Sequence, residues 1–171
     1  MLKVLAGAAC LGATVSADPW VPLTISWHLS MQGGPLRLYL TGDEGGYVEL
    51  NVSPDSGALS RLVLVNVPPT TDRIFEVPGG AAEQLSPVLD LGLWEWKVTP
   101  DYREPASRDA ELSSTLTYSK RSDEFTLWFS GSPVVRIITC GKVCVGVSQD
   151  NEMVAIRVPT PEIVEPELFN V

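Results

Sequence analysis

The stretch YVELNVSPDSGALSRLVLVNVPP, residues 47–69, decides the fold. On both sides of its centre apolar residues alternate with polar ones, which is the period of a strand with one buried face. The centre, residues 53–57, reads SPDSG. Here proline fixes φ, aspartate bonds the local backbone and glycine accepts a positive φ. We therefore expect a β-hairpin with its loop at 53–57, ended by Pro68 and Pro69.

The composition extends this expectation to the whole chain. Hydrophobic residues make up 44% of the 171 residues and charged residues 19%, which provides a sizeable core and excludes wholesale disorder. Gly and Pro number 14 each and follow no period, so many turns separate short elements. This pattern favours an all-β fold over a helical bundle.

The sequence pattern of the first hairpin, alternating segments on both sides of a turn, recurs near the C-terminus. The segments that look equivalent are 36–42 with 125–131, 48–53 with 143–148, and 59–67 with 153–159. Residues from about 24 to 69 and from about 115 to 158 are therefore predicted to be two copies of one antiparallel unit. Two sheets with one apolar face each bury those faces by packing together. We expect an antiparallel β-sandwich or paired sheets built from a duplicated β-meander.

Few other elements are expected. Short helical turns are predicted at 79–85 and 86–89, so the fold has at most one or two short helices. The single all-β domain is expected to span 18–158, and 159–171 is expected to be an extended arm rich in Pro and Glu. A strand is predicted at 93–98.

The first 17 residues allow two interpretations. Lys3 precedes a small-residue apolar run, and the end of that run at Ala17 resembles a secretory cleavage site. The preferred interpretation is an N-terminal strand or docked arm in a cytoplasmic protein, and the alternative is export after cleavage at Ala17. The apolar run of about 12 residues is too short to span a bilayer, which needs roughly 20.

Charge limits the partners. The formal net charge is −9 and the sequence pI about 4.5, with 12 basic residues in all. Phosphate backbones repel such a chain, so nucleic-acid binding is not expected. A basic protein is the partner that the charge favours, and homo-oligomers are compatible with it.

The cysteines leave two arrangements open. If residues 141–143 form a three-residue loop, Cys140 lies opposite Cys144 and the two form a cross-strand disulfide. If Gly141 and Lys142 alone form the loop, Cys140 lies opposite Val143 and both cysteines are small packing residues. Three cysteines and one histidine provide no zinc site, and we expect no metal or other cofactor.

Two stretches, YSKRSDEFTLWF at 118–129 and GVSQDNEMVAIRV at 146–158, combine turn aspartates with alternating leucine and aromatic positions. In this pattern residues 117–158 resemble a family of small bacterial β-hairpin domains of unknown function. The matching positions are Tyr118, Asp123, Leu127, Phe129, Val147, Asp150, Met153 and Ile156. The resemblance implies a bacterial β-meander and transfers no site. Since similar proteins are encoded beside toxins, it implies an immunity role only by analogy.

A catalytic site is not expected. His28 is the only histidine, and no nucleophile motif accompanies it. Paired acids occur at 43–44, at 123–124 and at 150 and 152. All three places are predicted turns, where carboxylates bond the local backbone. We therefore expect turn acids and no enzyme.

The expected function is binding. Trp94 and Trp96 lie two residues apart, so on a strand both face one side, either as core or as an exposed platform. Asp43 and Glu44 are the candidate acidic contacts. We expect a non-catalytic protein, such as an acidic inhibitor or immunity partner of a basic protein. The alternatives are a structural subunit of a larger assembly and an exported carbohydrate-binding module that uses the two tryptophans.

Overall fold

The computed structural model describes residues 1–77 and 83–161. In these residues the only helical element is a 3-10 turn at Leu91–Leu93, and fifteen strands form the rest of the regular structure. The strands are β1 (Val4–Ala9), β2 (Ala13–Ser16), β3 (Leu23–Trp27), β4 (Leu36–Gly42), β5 (Tyr47–Val52), β6 (Leu59–Asn66), β7 (Leu85–Leu89), β8 (Trp96–Val98), β9 (Arg103–Pro105), β10 (Asp109–Ser114), β11 (Thr117–Lys120), β12 (Glu124–Trp128), β13 (Arg136–Cys140), β14 (Val143–Val147) and β15 (Met153–Pro159).

Two large sheets contain most of these strands. Sheet N has the strand order β10-β4-β5-β6-β3-β2, and sheet C has the order β11-β12-β15-β14-β13. Neighbouring strands in both sheets are antiparallel, except that β10 runs parallel to β4. Two small ladders, β1 with β7 and β8 with β9, complete the fold.

The sheets pack face to face around one core. Leu38 and Leu50 of sheet N and Leu127 and Ile156 of sheet C are at most 1% exposed and belong to one apolar cluster. Along β4 and β5 every second residue is buried, as the alternation in the sequence requires. The prediction of an all-β fold made of antiparallel sheets is therefore confirmed.

The two sheets share one topology. In each, a hairpin (β2–β3 or β11–β12) precedes a crossing to β4 or β13, and a three-strand meander then returns beside the second hairpin strand. Strand β10, which has no counterpart in sheet C, extends sheet N beyond β4. Strand β14 thus corresponds to β5 and β15 to β6, as the sequence comparison predicted. The predicted equivalence of 125–131 with 36–42 is wrong, because β12 corresponds to β3 and β13 to β4. Both segments alternate, and alternation alone does not separate a first strand from a second.

An irregularity in the meander repeats at the same position. In sheet N the pairing shifts between Asn51 and Val52, and in sheet C it shifts between Gly146 and Val147. Each shift adjoins a tight loop in which one residue has a left-handed backbone, at Gly57 with φ 78° and at Asn151 with φ 61°. A shared β-bulge of this kind supports the duplication at the level of backbone geometry.

The outer faces of the two sheets differ. Residues 71–77, which we call the strap, cross the outer face of sheet C, where Phe75 packs against Trp128 and Val154. All five residues of β14 are consequently buried, which explains its unbroken apolar sequence. Outward residues of sheet N stay exposed or half-buried, as along β4, where Arg37 and Thr41 are exposed.

The N-terminal residues are part of the sandwich. Strand β1 pairs with β7, and β2 forms a hairpin with β3, so the domain boundary expected at Asp18 falls inside a hairpin. Leu2 and Val4 are buried, and the backbone N–H of Met153 donates to Leu2. Cleavage after Ala17 would separate β2 from its partner strand.

The predicted Cys140–Cys144 bridge is wrong. Cys140 forms a disulfide with Cys10, and Cys144 is free and buried. The loop consists of Gly141 and Lys142 alone, so Cys140 lies opposite Val143. Cys144 consequently packs on the outer side of sheet C while Cys140 faces the main core.

Some expected elements differ or fall outside the described part. The helix expected at 86–89 is wrong, because these residues belong to β7, where Ser86 donates to the carbonyl of Leu59. The turn expected at 79–85 lies largely in 78–82, and most of the arm expected at 159–171 lies in 162–171; both ranges are outside the described residues. No helix in the described part is long and apolar enough to cross a membrane.

Candidate functional site

The outer face of sheet N carries two stacked tyrosines. Tyr39 on β4 and Tyr47 on β5 have ring centroids 6.1 Å apart, and their planes differ by 17°. In the strand register Tyr39 lies between Glu49 on β5 and Glu111 on β10. Alternate residues of a strand, together with the residues directly opposite them, point to the same face of the sheet. These four side chains therefore lie together on the side away from the core. We call them the tyrosine face.

The predicted acidic residues border this face. Asp43 and Glu44 are exposed in the turn from β4 to β5, and Tyr47 follows that turn. The turn closes through two glycines with left-handed backbones, Gly45 with φ 115° and Gly46 with φ 95°. Such backbone conformations favour glycine, so side chains are disfavoured at the last two positions of the turn. The carboxylates of the turn therefore lie before them, at positions 43 and 44.

Positive charge near the tyrosine face is largely compensated. Arg37, the next outward residue on β4 before Tyr39, forms an ion pair with Asp109 at 2.8 Å between Nε and Oδ1. Arg61 lies on β6 beside β5, where it is opposite Asn51 rather than a residue of the tyrosine face. The tyrosine face and its bordering turn therefore present carboxylates around two phenol rings.

These neighbours affect the ionisation of Tyr47. Burial raises the pKa of Tyr47 above its ordinary 10.0, and the charges of Tyr39, Glu49 and Glu111 raise it further. Because the folded pKa exceeds the unfolded one, the stability gained from the neutral phenol is complete below about pH 10 and is lost as pH rises through the folded value. We expect the free energy of unfolding to fall above pH 10, and to fall less in Tyr47→Phe.

Urea denaturation between pH 8 and 11.5 measures this effect. Tyr102→Phe is the matched control, since Tyr102 is 54% exposed and lies outside the tyrosine face. If Tyr47→Phe and the control lose stability equally with pH, the tyrosine face does not hold the phenol neutral.

The tryptophan platform is not formed. Trp94 is 3% exposed and its indole N–H donates to the carbonyl of Arg37, so it belongs to the core. Trp96 is half-buried, and the guanidinium of Arg103 lies 4.0 Å from its ring centroid. The predicted strand 93–98 begins only at Trp96, because the 3-10 turn precedes it. The two rings therefore do not line up on one side of a strand.

The sequence does not predict Trp20 as a candidate contact residue. Its side chain is 89% exposed in the turn between β2 and β3. Asp18 Oδ1 accepts hydrogen bonds from the backbone N–H groups of Trp20 and Val21, both at 2.8 Å. The turn is thus ordered by an aspartate while its indole faces solvent. The pair Asp18-Pro19 is the turn signal in the sequence, and nothing local shows that the ring stays uncovered.

The remaining candidates do not converge on a catalytic arrangement. His28 is exposed, and no described hydroxyl or carboxylate is hydrogen-bonded to its ring. Asp123 and Asp150 are exposed in turns, whereas Glu124 lies near Arg157 and Glu152 accepts from Ser132. In the described part of the chain no group of three metal-binding side chains is close enough to hold an ion.

No protein-family model and no curated protein matches this chain. The resemblance of residues 117–158 to bacterial β-hairpin domains therefore stays a prediction.

Proposed function

We propose that the protein is a non-catalytic binding protein whose tyrosine face, with Asp43 and Glu44 at its border, binds a basic protein. The open outer face of sheet N carries this proposal. The equivalent face of sheet C is closed by the strap, whereas the tyrosine face leaves two rings and several carboxylates in contact with solvent. An immunity or inhibitor role is one form of such binding.

The chemistry of the face fits a basic partner. Tyrosine offers a large flat contact area with a polar tip, and such residues are enriched where proteins bind each other. Carboxylates around the rings attract Lys and Arg side chains, steer their approach and accept hydrogen bonds from them. The formal charge of −9 strengthens the same attraction at long range.

The test is capture of the partner followed by measurement of its affinity. Immobilised protein is exposed to extract at low salt, bound proteins are identified, and the purified partner is titrated. We expect its sequence to be basic and its affinity to fall about tenfold or more between 50 and 300 mM salt. The double variant Glu49→Lys with Glu111→Lys is expected to reduce affinity by at least about a hundredfold.

The matched control has the same net charge as the test variant, but its two substitutions lie away from the tyrosine face. Glu95→Lys with Glu104→Lys changes two exposed carboxylates near the β8–β9 ladder and raises the formal charge by the same amount. Affinity is expected to change less than about threefold in this control. A partner that is lost equally from both double variants would show non-specific attraction, and a salt-independent complex would contradict the proposal.

A further inference from the structure

A separate, concave site lies on the opposite side of the sandwich. A pocket of about 370 Å³ opens between the strap and strands β11, β12 and β15. Its floor is one row across sheet C, in which Ser119 pairs with Thr126 and Thr126 with Arg157. Arg121 and Glu124 also line it. We call it the arginine pocket, and it shares no residue with the tyrosine face.

The guanidinium of Arg157 is a largely buried charge without a close acceptor. Its side chain is 22% exposed. Among the described residues its acceptors are the carbonyl of Phe75 at 3.4 Å, the carboxylate of Glu124 at 3.7 Å and the sulfur of Cys144 at 3.9 Å. Charge-assisted hydrogen bonds are normally about 2.7–2.9 Å long. Because burial of an incompletely paired charge is unfavourable, this geometry leaves room for a better acceptor.

Further donors surround the same space. The hydroxyl of Ser119 accepts a hydrogen bond from the indole of Trp128 at 3.0 Å, so its own hydrogen is left to donate. No described group bonds the hydroxyl of Thr126 or the guanidinium of Arg121. Two hydroxyls and two guanidiniums therefore line one pocket with donors to spare.

Arg73, which also lines the pocket, holds the strap in place. Its guanidinium stacks 3.9 Å from the ring centroid of Trp128 and donates to the carbonyls of Ser130 and Ser132. These contacts fix the strap against sheet C. The strap then supplies an apolar wall through Phe75 and Ile74.

We propose that the arginine pocket binds a small organic carboxylate that carries an apolar group. The carboxylate accepts from Arg157, with Arg121 and the two hydroxyls as further donors, since a planar guanidinium matches a carboxylate in geometry. The apolar group packs on the wall formed by Phe75 and Ile74. Glu124 and Glu76, the two acids in the lining, repel the carboxylate and set an upper limit to the affinity.

The test uses 3-phenylpropionate as the probe for the full-length protein, followed by titration calorimetry or NMR shifts. 3-Phenylpropanol has the same apolar group without the charge, and inorganic phosphate has charge without the apolar group. We expect the carboxylate to bind at least about tenfold more tightly than either, because each control lacks one of the two contacts. Shifts are expected at Thr126 and Phe75.

Variants with opposite effects identify the site. Arg157→Gln and the exposed Arg121→Gln are expected to weaken binding, by about tenfold or more for Arg157, whereas Glu124→Gln is expected to tighten it severalfold. Arg61→Gln, an exposed arginine on sheet N, is the control and should leave affinity unchanged. If Arg157→Gln does not fold, Arg121→Gln and Glu124→Gln still decide the matter. Equal binding of the alcohol, binding of phosphate alone, or no binding overturns the proposal.

Discussion

Cys10→Ser is expected to lower the free energy of unfolding by about 4 kcal/mol. The disulfide with Cys140 joins residues separated by 130 positions, and cross-linking so long a loop removes much of the conformational freedom of the unfolded chain. A domain is typically stable by about 5–15 kcal/mol, so the loss is a large share of the total. Urea denaturation followed by far-UV circular dichroism measures it.

Reductant and a second cysteine variant provide the controls. Wild type treated with reductant should unfold at the same urea concentration as Cys10→Ser, and reductant should have no further effect on the variant. Cys144→Ser should retain the disulfide, because Cys144 packs on the other side of sheet C. Three titratable thiols in the unreduced, denatured wild type would refute the pairing.

Trp94→Ala is expected to lower the free energy of unfolding by about 3–5 kcal/mol. The ring is 3% exposed within the core that both sheets share, and its N–H bonds the carbonyl of Arg37 on β4. Removing it leaves a cavity and breaks the indole hydrogen bond to that carbonyl. Chemical denaturation followed by circular dichroism measures the loss without relying on indole fluorescence.

Trp96→Ala is the matched control. Its ring is half-buried and touches Arg103, and its N–H donates to the carbonyl of Leu91 at 2.9 Å. Truncation is therefore expected to lower the free energy of unfolding by only about 1–2 kcal/mol. Similar losses in both variants would mean that the two rings are equivalent, as an exposed or buried pair on one strand face would be.

The sequence predicted those elements whose signals lie within a few neighbouring residues. The hairpin of β5 and β6 could be read because alternation and turn residues lie within one short stretch. Both loop alternatives at Gly141 place Cys140 on a strand, but the comparison of the two units does not include that strand, β13, because RIITC has no clear alternation. Without β13, the alternating segment 125–131 was compared with β4. The correct partner, β3, emerges only from the strand order of both sheets.

The candidate site depended on long-range register. Exposure of Asp43 and Glu44 followed from the turn signals, and the structure has them exposed. The tyrosine face was not predicted, because Glu111 reaches Tyr39 through a parallel pairing between segments about 70 residues apart in sequence. No local pattern shows which sheet the strap covers, so the open side and the closed side could not be distinguished in advance.

The Cys10–Cys140 bond also determines how the molecule responds to tension. A load applied between the two ends of the chain passes directly across the sulfur atoms, so residues 11–139 carry none of it while the bond is intact. That segment contains all of sheet N together with β11 and β12, and roughly 450 Å of chain is thereby protected from extension. Of the described strands, β1, β14 and β15 lie outside the segment and can be pulled away from their neighbours.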